Sequence, residues 1–162
     1  MANNRLPNPN RYITDSDVDG NSFFSTDLPA SVEAGSELGG GVQRLVYQTE
    51  PPPVSLSGKN DLERYKTALQ SKAPLVSPVP PGGGTNVWYN DIPPGGESPM
   101  HRTVSLDFII VLIGEVELTL SNETRMIKSG DMVVQRSSLH KWRNPSETQW
   151  ARVVGIVSEC QP

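Results

Sequence analysis

A chain of 162 residues with 18 acidic and 14 basic side chains, and hence a net charge of −4, has the size of one domain and an acidic balance. No Lys/Arg cluster offsets that balance locally, which argues against nucleic acid as a partner, and the longest apolar run, Phe108 to Ile113, is too short to span a membrane. With 14 glycines and 15 prolines the chain turns often, so an all-β architecture is expected rather than a helical bundle.

Residues 1–10 are polar and proline-rich and read as an arm. They contain no apolar secretion signal, and Cys160, the single cysteine, cannot make an internal disulfide, so a cytoplasmic setting is expected and Cys160 is read as inert. Arg11–Thr14 and Phe23–Phe24 are β-prone pieces on either side of Asp19-Gly20, a hairpin turn signal. The small residues from Ala30 to Gly41 read as a loop, and Val42–Thr49 as a strand stopped by Pro51-Pro52-Pro53. Behind the cap pair Asn60-Asp61, the spacing of Leu62, Tyr65 and Leu69 predicts one short helix over 61–72. Pro74 to Gly84 is a rim loop or a hinge; its glycines lack the Lys-Ser/Thr of a phosphate loop. Residues 1–84 are therefore an arm with strands and a short helix, packed on a barrel core over 85–162.

That core is predicted from closely spaced strands: Thr85–Ile92, Leu106–Ile113, Glu115–Leu120, Arg125–Ile127, Met132–Arg136, His140–Arg143 and Trp150–Val157. Gly114, Ser121-Asn122, Ser129-Gly130 and Asn144-Pro145 separate them, with Asn144 stabilising its turn. In Glu115–Leu120 the period of two turns Val116, Leu118 and Leu120 inward. Many short strands with tight turns make a sandwich or a barrel.

The chain has only two histidines, His101 and His140, each beside polar residues in apolar surroundings. If residues 101–107 continue one strand, His101, Thr103, Ser105 and Asp107 share a face. A histidine oriented by a carboxylate can remove a proton next to a carbonyl or protonate a leaving hydroxyl. Thr103, Ser105 and Gln135 offer neutral hydrogen bonds to a developing oxyanion. Trp88, Tyr89 and Trp142 either line a pocket for an apolar, oxygenated substrate or fill the core. The plainer readings make the histidines satisfied core residues, turn Asp107 to solvent or to Arg102, and leave Arg102 and Arg143 on the surface.

The segments Gly95–Gly114 and Gly130–Asn144 resemble the two sequence motifs of the cupin superfamily. Gly95, His101, Thr103, Asp107 and Gly114 take the places of the first motif's glycine, two histidines, glutamate and glycine. Gly130, His140 and Asn144 take those of the second. The resemblance covers about 86–158 and is to small single-domain cupins, bacterial and fungal, of unassigned role. It implies a single jelly-roll-like β-barrel and a homodimer formed by exchange of N-terminal strands. Cupins that bind metal use three histidines and a glutamate, and here Thr103 and Asp107 stand in two of those places. His101, Asp107 and His140 remain, either as an acid–base cluster or as a two-histidine, one-carboxylate face for a metal. The expected cofactor is accordingly none or a single divalent metal, Fe or Zn, with Glu97 or water completing its shell. The expected function is that of a lyase or isomerase of small-metabolite metabolism acting by dehydration, decarboxylation or cyclisation. The alternatives are an Fe(II)-dependent dioxygenase and a barrel that binds a small molecule without turnover.

Overall fold

The computed structural model describes residues 5–38, 41–70, 78–80 and 82–161. Among them, Thr14–Ser16 (β1) and Ser22–Phe24 (β2) form the expected hairpin, pairing Asp15 with Phe23 around the turn that contains Gly20. The loop expected between Ala30 and Gly41 contains a strand, Ser36–Leu38 (β3), which pairs with Gly41–Gln48 (β4). A three-residue strand at a sheet edge needs no alternating apolar face, so its sequence carries no strand signal. The helix Asn60–Gln70 (α1) starts one residue earlier than predicted, and the last two residues of the predicted span lie outside the described ones. Most of the proline- and glycine-rich stretch before residue 82 does too.

Thr85–Ile92 (β5), Ser105–Ile113 (β6), Glu115–Thr119 (β7), Thr124–Lys128 (β8), Met132–Arg136 (β9), Lys141–Arg143 (β10) and Ala151–Glu159 (β11) are the strands of the core region. They fall into two antiparallel sheets. The larger runs β3-β4-β5-β11-β6-β9, the smaller β10-β7-β8. The segment Glu97–His101 extends the smaller sheet through the bridges Glu97↔Arg143 and His101↔His140. The fold is thus all-β with one short α-helix, as expected, and β4 pairs along most of its length with β5, so the boundary drawn at 84 falls within a continuous sheet.

Period-two alternation builds the interior. Ser105, Asp107, Ile109 and Val111 of β6 are buried while Leu106, Phe108 and Ile110 are only partly so. Ile109, Val111, Val116, Ala151 and Val153 make the core between the sheets, with Trp142 packed against it. A second cluster, Leu45, Tyr65, Trp88 and Val157, sits beneath α1. Register also lines up polar residues across the larger sheet, because Asn86 lies opposite Val157, Val157 opposite Asp107, and Asp107 opposite Gln135.

On the outer side of that sheet, Arg44 and Arg152 both bind Asp91, at 2.7 Å and 2.6 Å, and all three side chains are buried. Asn8 Oδ1 accepts from Arg44, and the Pro7 carbonyl accepts from Arg152, so the N-terminal segment covers the ion pairs. Two cations to one anion leave a positive surplus, which these neutral oxygens help to satisfy. No helix among the described residues is long and apolar enough to cross a membrane.

Candidate active site

His101 and His140 face each other because their backbones form a mutual pair. Each N–H donates to the other's carbonyl at 2.9 Å, which places both side chains on one face of the small sheet. The ring centroids are 4.3 Å apart with the planes inclined at 55°. Each ring then turns back on its own chain, His101 Nδ1 to the Pro99 carbonyl at 2.8 Å and His140 Nδ1 to the Ser138 carbonyl at 2.9 Å. A carbonyl only accepts, so Nδ1 carries the proton in both rings and Nε2 keeps its lone pair. Neither Nε2 has a hydrogen-bond partner among the described residues.

Asp107 comes from the opposite sheet, and this corrects the expectation that His101, Thr103, Ser105 and Asp107 share one strand face. The chain leaves the small sheet at His101, turns through 102–104 and enters the large sheet at Ser105. Only Ser105 and Asp107 therefore share a strand, and Thr103 lies in the corner. The same switch occurs between Gln135 on β9 and His140, across Ser137, whose φ of 46° is held by its N–H donating to the Ser105 carbonyl. The carboxyl is buried, with 4% of Asp107 exposed, and it neither reaches solvent nor pairs with Arg102. Gln135 Nε2 donates to Asp107 Oδ2 at 2.8 Å. Asp107 Oδ1, Ser105 Oγ and Gln135 Oε1 are buried without partners among the described residues, the Ser105 hydroxyl lying beside the carboxyl without meeting hydrogen-bond geometry.

These surroundings favour the uncharged forms. Burial pushes the Asp107 carboxyl above the usual carboxylate range, an effect that the Ser105 hydroxyl, Gln135 and the two imidazoles pull back in part. Burial pushes His140 below the usual histidine range; its bond to Ser138 and the nearby carboxyl oppose this, and His101 adds to it. The result is a carboxyl that keeps its proton to higher pH facing an imidazole that stays neutral to lower pH.

His101 forms part of the wall of a cavity of about 470 Å³, whose floor includes Ile109, Trp142 and Val153. Trp142 is the one aromatic of the three expected at a pocket that lines this cavity. Trp88 is buried in the cluster beneath α1 and donates from its indole nitrogen to the Pro78 carbonyl, so it is core. Thr103, Ser105 and Gln135 do not line the cavity; the last two surround Asp107. Arg143 pairs outward with Glu117 at 2.9 Å, and Glu97, expected to complete a metal shell, pairs with Lys141 at 3.1 Å.

The metal reading meets a geometric obstacle. Among the described residues no three His, Cys, Asp or Glu side chains are placed to hold one ion, so as they stand His101, His140 and Asp107 do not form a three-ligand set. Asp107 also has one oxygen committed to Gln135.

The profile of the cupin domain family matches residues 88–157, a span that contains both histidines and Asp107. The chain is also 34% identical to the "Cupin-domain-containing oxidoreductase srdB" of Neurospora crassa over 97% of its own length and 76% of the relative's. The chain belongs to the cupin superfamily. Other relatives of this cupin include "Phomopsin biosynthesis cluster protein D" of Diaporthe leptostromiformis, 42% identical over 97% of this chain and 82% of that protein. "Oryzines biosynthesis cluster protein J" of Aspergillus oryzae is 40% identical over 97% and 86%. Among solved structures, the polyketide cyclase RemF from Streptomyces resistomycificus shares the fold, with a TM-score of 0.52, 17% identity and coverage of 81% of this chain and 76% of that one.

Sequence reasoning missed Gln43 and Asn90, which line the cavity, and the buried Arg44, Asp91 and Arg152. A signal for Asn90 exists, since Asn86, Trp88 and Asn90 alternate along one strand and place two amides on the face that carries the tryptophan.

Proposed function

We propose that this cupin catalyses a redox-neutral proton-transfer reaction, of lyase or isomerase type, in the biosynthesis of a small metabolite. The observation that carries the reading is the histidine pair with both Nδ1 protons committed to backbone carbonyls, which leaves two basic Nε2 atoms, one of them on the ring that lines the cavity. His101 Nε2 takes a proton from a carbon next to a carbonyl, and His140 beside it disperses the positive charge. The same proton returns to a different carbon in an isomerisation, or to a hydroxyl that leaves as water in a dehydration. Either way no oxidant is consumed. Asp107, whose burial raises its affinity for a proton, serves as the acid, passing a proton to the leaving hydroxyl and recovering the abstracted one from the imidazolium. Relatives described as biosynthesis cluster proteins support the small-metabolite context.

A second reading, oxidation of the same kind of substrate, draws on relatives described as cupin-domain-containing oxidoreductases. In its Fe(II) form it asks for a ligand set that His101, His140 and Asp107 do not provide as placed. Metabolite extracts of cells deleted for the gene, incubated with the purified protein and followed by mass spectrometry, separate the two. The first reading expects a product of unchanged mass, or one lighter by water or carbon dioxide, formed ~10²- to 10⁴-fold more slowly by His101→Ala. A product that has gained oxygen or lost two hydrogens, with stoichiometric iron in protein purified without chelator, would overturn it in favour of oxidation.

A further inference from the structure

The cavity beside His101 has a second wall, and part of it, Gly41, Val42 and Gln43 of β4, comes from outside the span matched by the family profile. Asn90, Asp91 and Ile92 of β5, with Pro93 just after it, complete that wall from within the span. Gln43 lies directly opposite Asn90, and Asn90 opposite Val153, so the two carboxamides share the inward face with an apolar floor. Neither side chain hydrogen-bonds any described residue. Gln43 Oε1 is sealed from solvent without a partner among the described residues, an arrangement that disfavours the folded state. A polar atom so placed at a cavity wall takes its partner from what fills the cavity, water or a ligand.

The charges around the cavity narrow what that partner is. Asp91 is paired with Arg44 and Arg152 on the outer side of the sheet, and Glu97 with Lys141. A carboxylate or phosphate buried in this space would meet no lysine or arginine among the described lining residues, and the Nε2 that His101 turns toward it carries a lone pair, so the charge would be unpaired and disfavoured. Two free carboxamides side by side present both donors and acceptors, which suits an uncharged group that also does both.

We propose that Gln43, with Asn90, is the specificity determinant of this cavity and selects a neutral, largely apolar substrate through an amide group on it. The amide N–H binds a carboxamide oxygen of the pair and the amide carbonyl accepts from a carboxamide N–H, while the apolar body lies on Ile109, Val153 and Trp142. This rests on the cavity being the substrate site of the proton-transfer reading, and it is tested by binding alone.

Three probes sharing one apolar body serve the test: 2-naphthamide, methyl 2-naphthoate and 2-naphthoate, titrated calorimetrically into the wild-type protein, Gln43→Met and His101→Ala. The wild type is expected to bind the amide ~10-fold more tightly than the ester, the difference made by about one net hydrogen bond, and the carboxylate most weakly. Gln43→Met is expected to bind amide and ester equally while melting at or above the wild-type temperature, because methionine removes an oxygen that had no partner. His101→Ala keeps the preference for the amide, so a failed catalytic reading leaves this outcome intact. Equal or reversed affinities in the wild type, no saturable binding of any probe, or an amide preference that survives Gln43→Met would each overturn the proposal. A Gln43→Met protein that melts well below the wild type would show the residue to be structural and would also overturn it.

Discussion

Asp107 holds its carboxyl where charge is disfavoured, and its neighbours offset that only in part. Its folded pKa lies above the unfolded value, so the folded state binds the proton more tightly, and the stability this gives at low pH is lost as pH rises through the folded pKa. Asp107→Asn is therefore expected to raise the unfolding free energy at about pH 8 and to leave it unchanged at about pH 3, where the parent carboxyl is protonated in both states. Urea titrations at the two pH values check this, and a destabilised variant at the higher pH would refute it. His140 has the opposite sign. Its folded pKa lies below the ordinary 6.5, so the unfolded state binds more protons in that window and stability falls as pH drops below 6.5. The histidine and carboxyl types at the site were legible from the sequence, because two histidines in apolar surroundings stand out. Their tautomers were not, since these depend on the carbonyls of Pro99 and Ser138, which no side-chain pattern encodes.

At the scale of elements, the loop between β10 and β11 depends on Asn144, which is 1% exposed. Its Nδ2 donates to the carbonyls of Ile92 and Gln149 at 3.0 and 2.8 Å, and its Oδ1 accepts from the Ser146 N–H at 3.1 Å. Asn144→Ala strands these backbone groups and is expected to cost ~2–4 kcal/mol in equilibrium unfolding. Asp91→Ala leaves two buried guanidinium groups without their anion and is expected to cost ~3–5 kcal/mol, with faster proteolysis of the segment around Asn8. The spans of β5 and β9 coincide with those predicted, because alternation and Gly/Pro punctuation mark both. The shared face of residues 101–107 failed because the chain changes sheets at 102–104, a corner to which period two is blind. The Arg44–Asp91–Arg152 cluster joins residues 47 and 61 apart in sequence, and local pattern does not report such pairs.

At the scale of the molecule, the outer face of β11, β6 and β9 sets Val154 and Ile156 beside Ile110 and Phe108, and these beside Met132 and Val134. Met132 and Val134 are 55% and 54% exposed, an apolar surface of the kind that subunits cover. We propose that a second copy covers this face, a contact other than the N-terminal strand exchange that the resemblance implies, with sedimentation giving a dimer for the parent and a monomer for Val134→Glu. A monomeric parent would remove that expectation. Proton transfer at this site needs an unprotonated Nε2 on each histidine, and a chain with only two histidines allows a direct measurement. Long-range ¹H–¹⁵N NMR near neutral pH is predicted to show both rings as Nδ1–H tautomers with an unprotonated Nε2. Rings protonated at Nε2 instead would contradict the account.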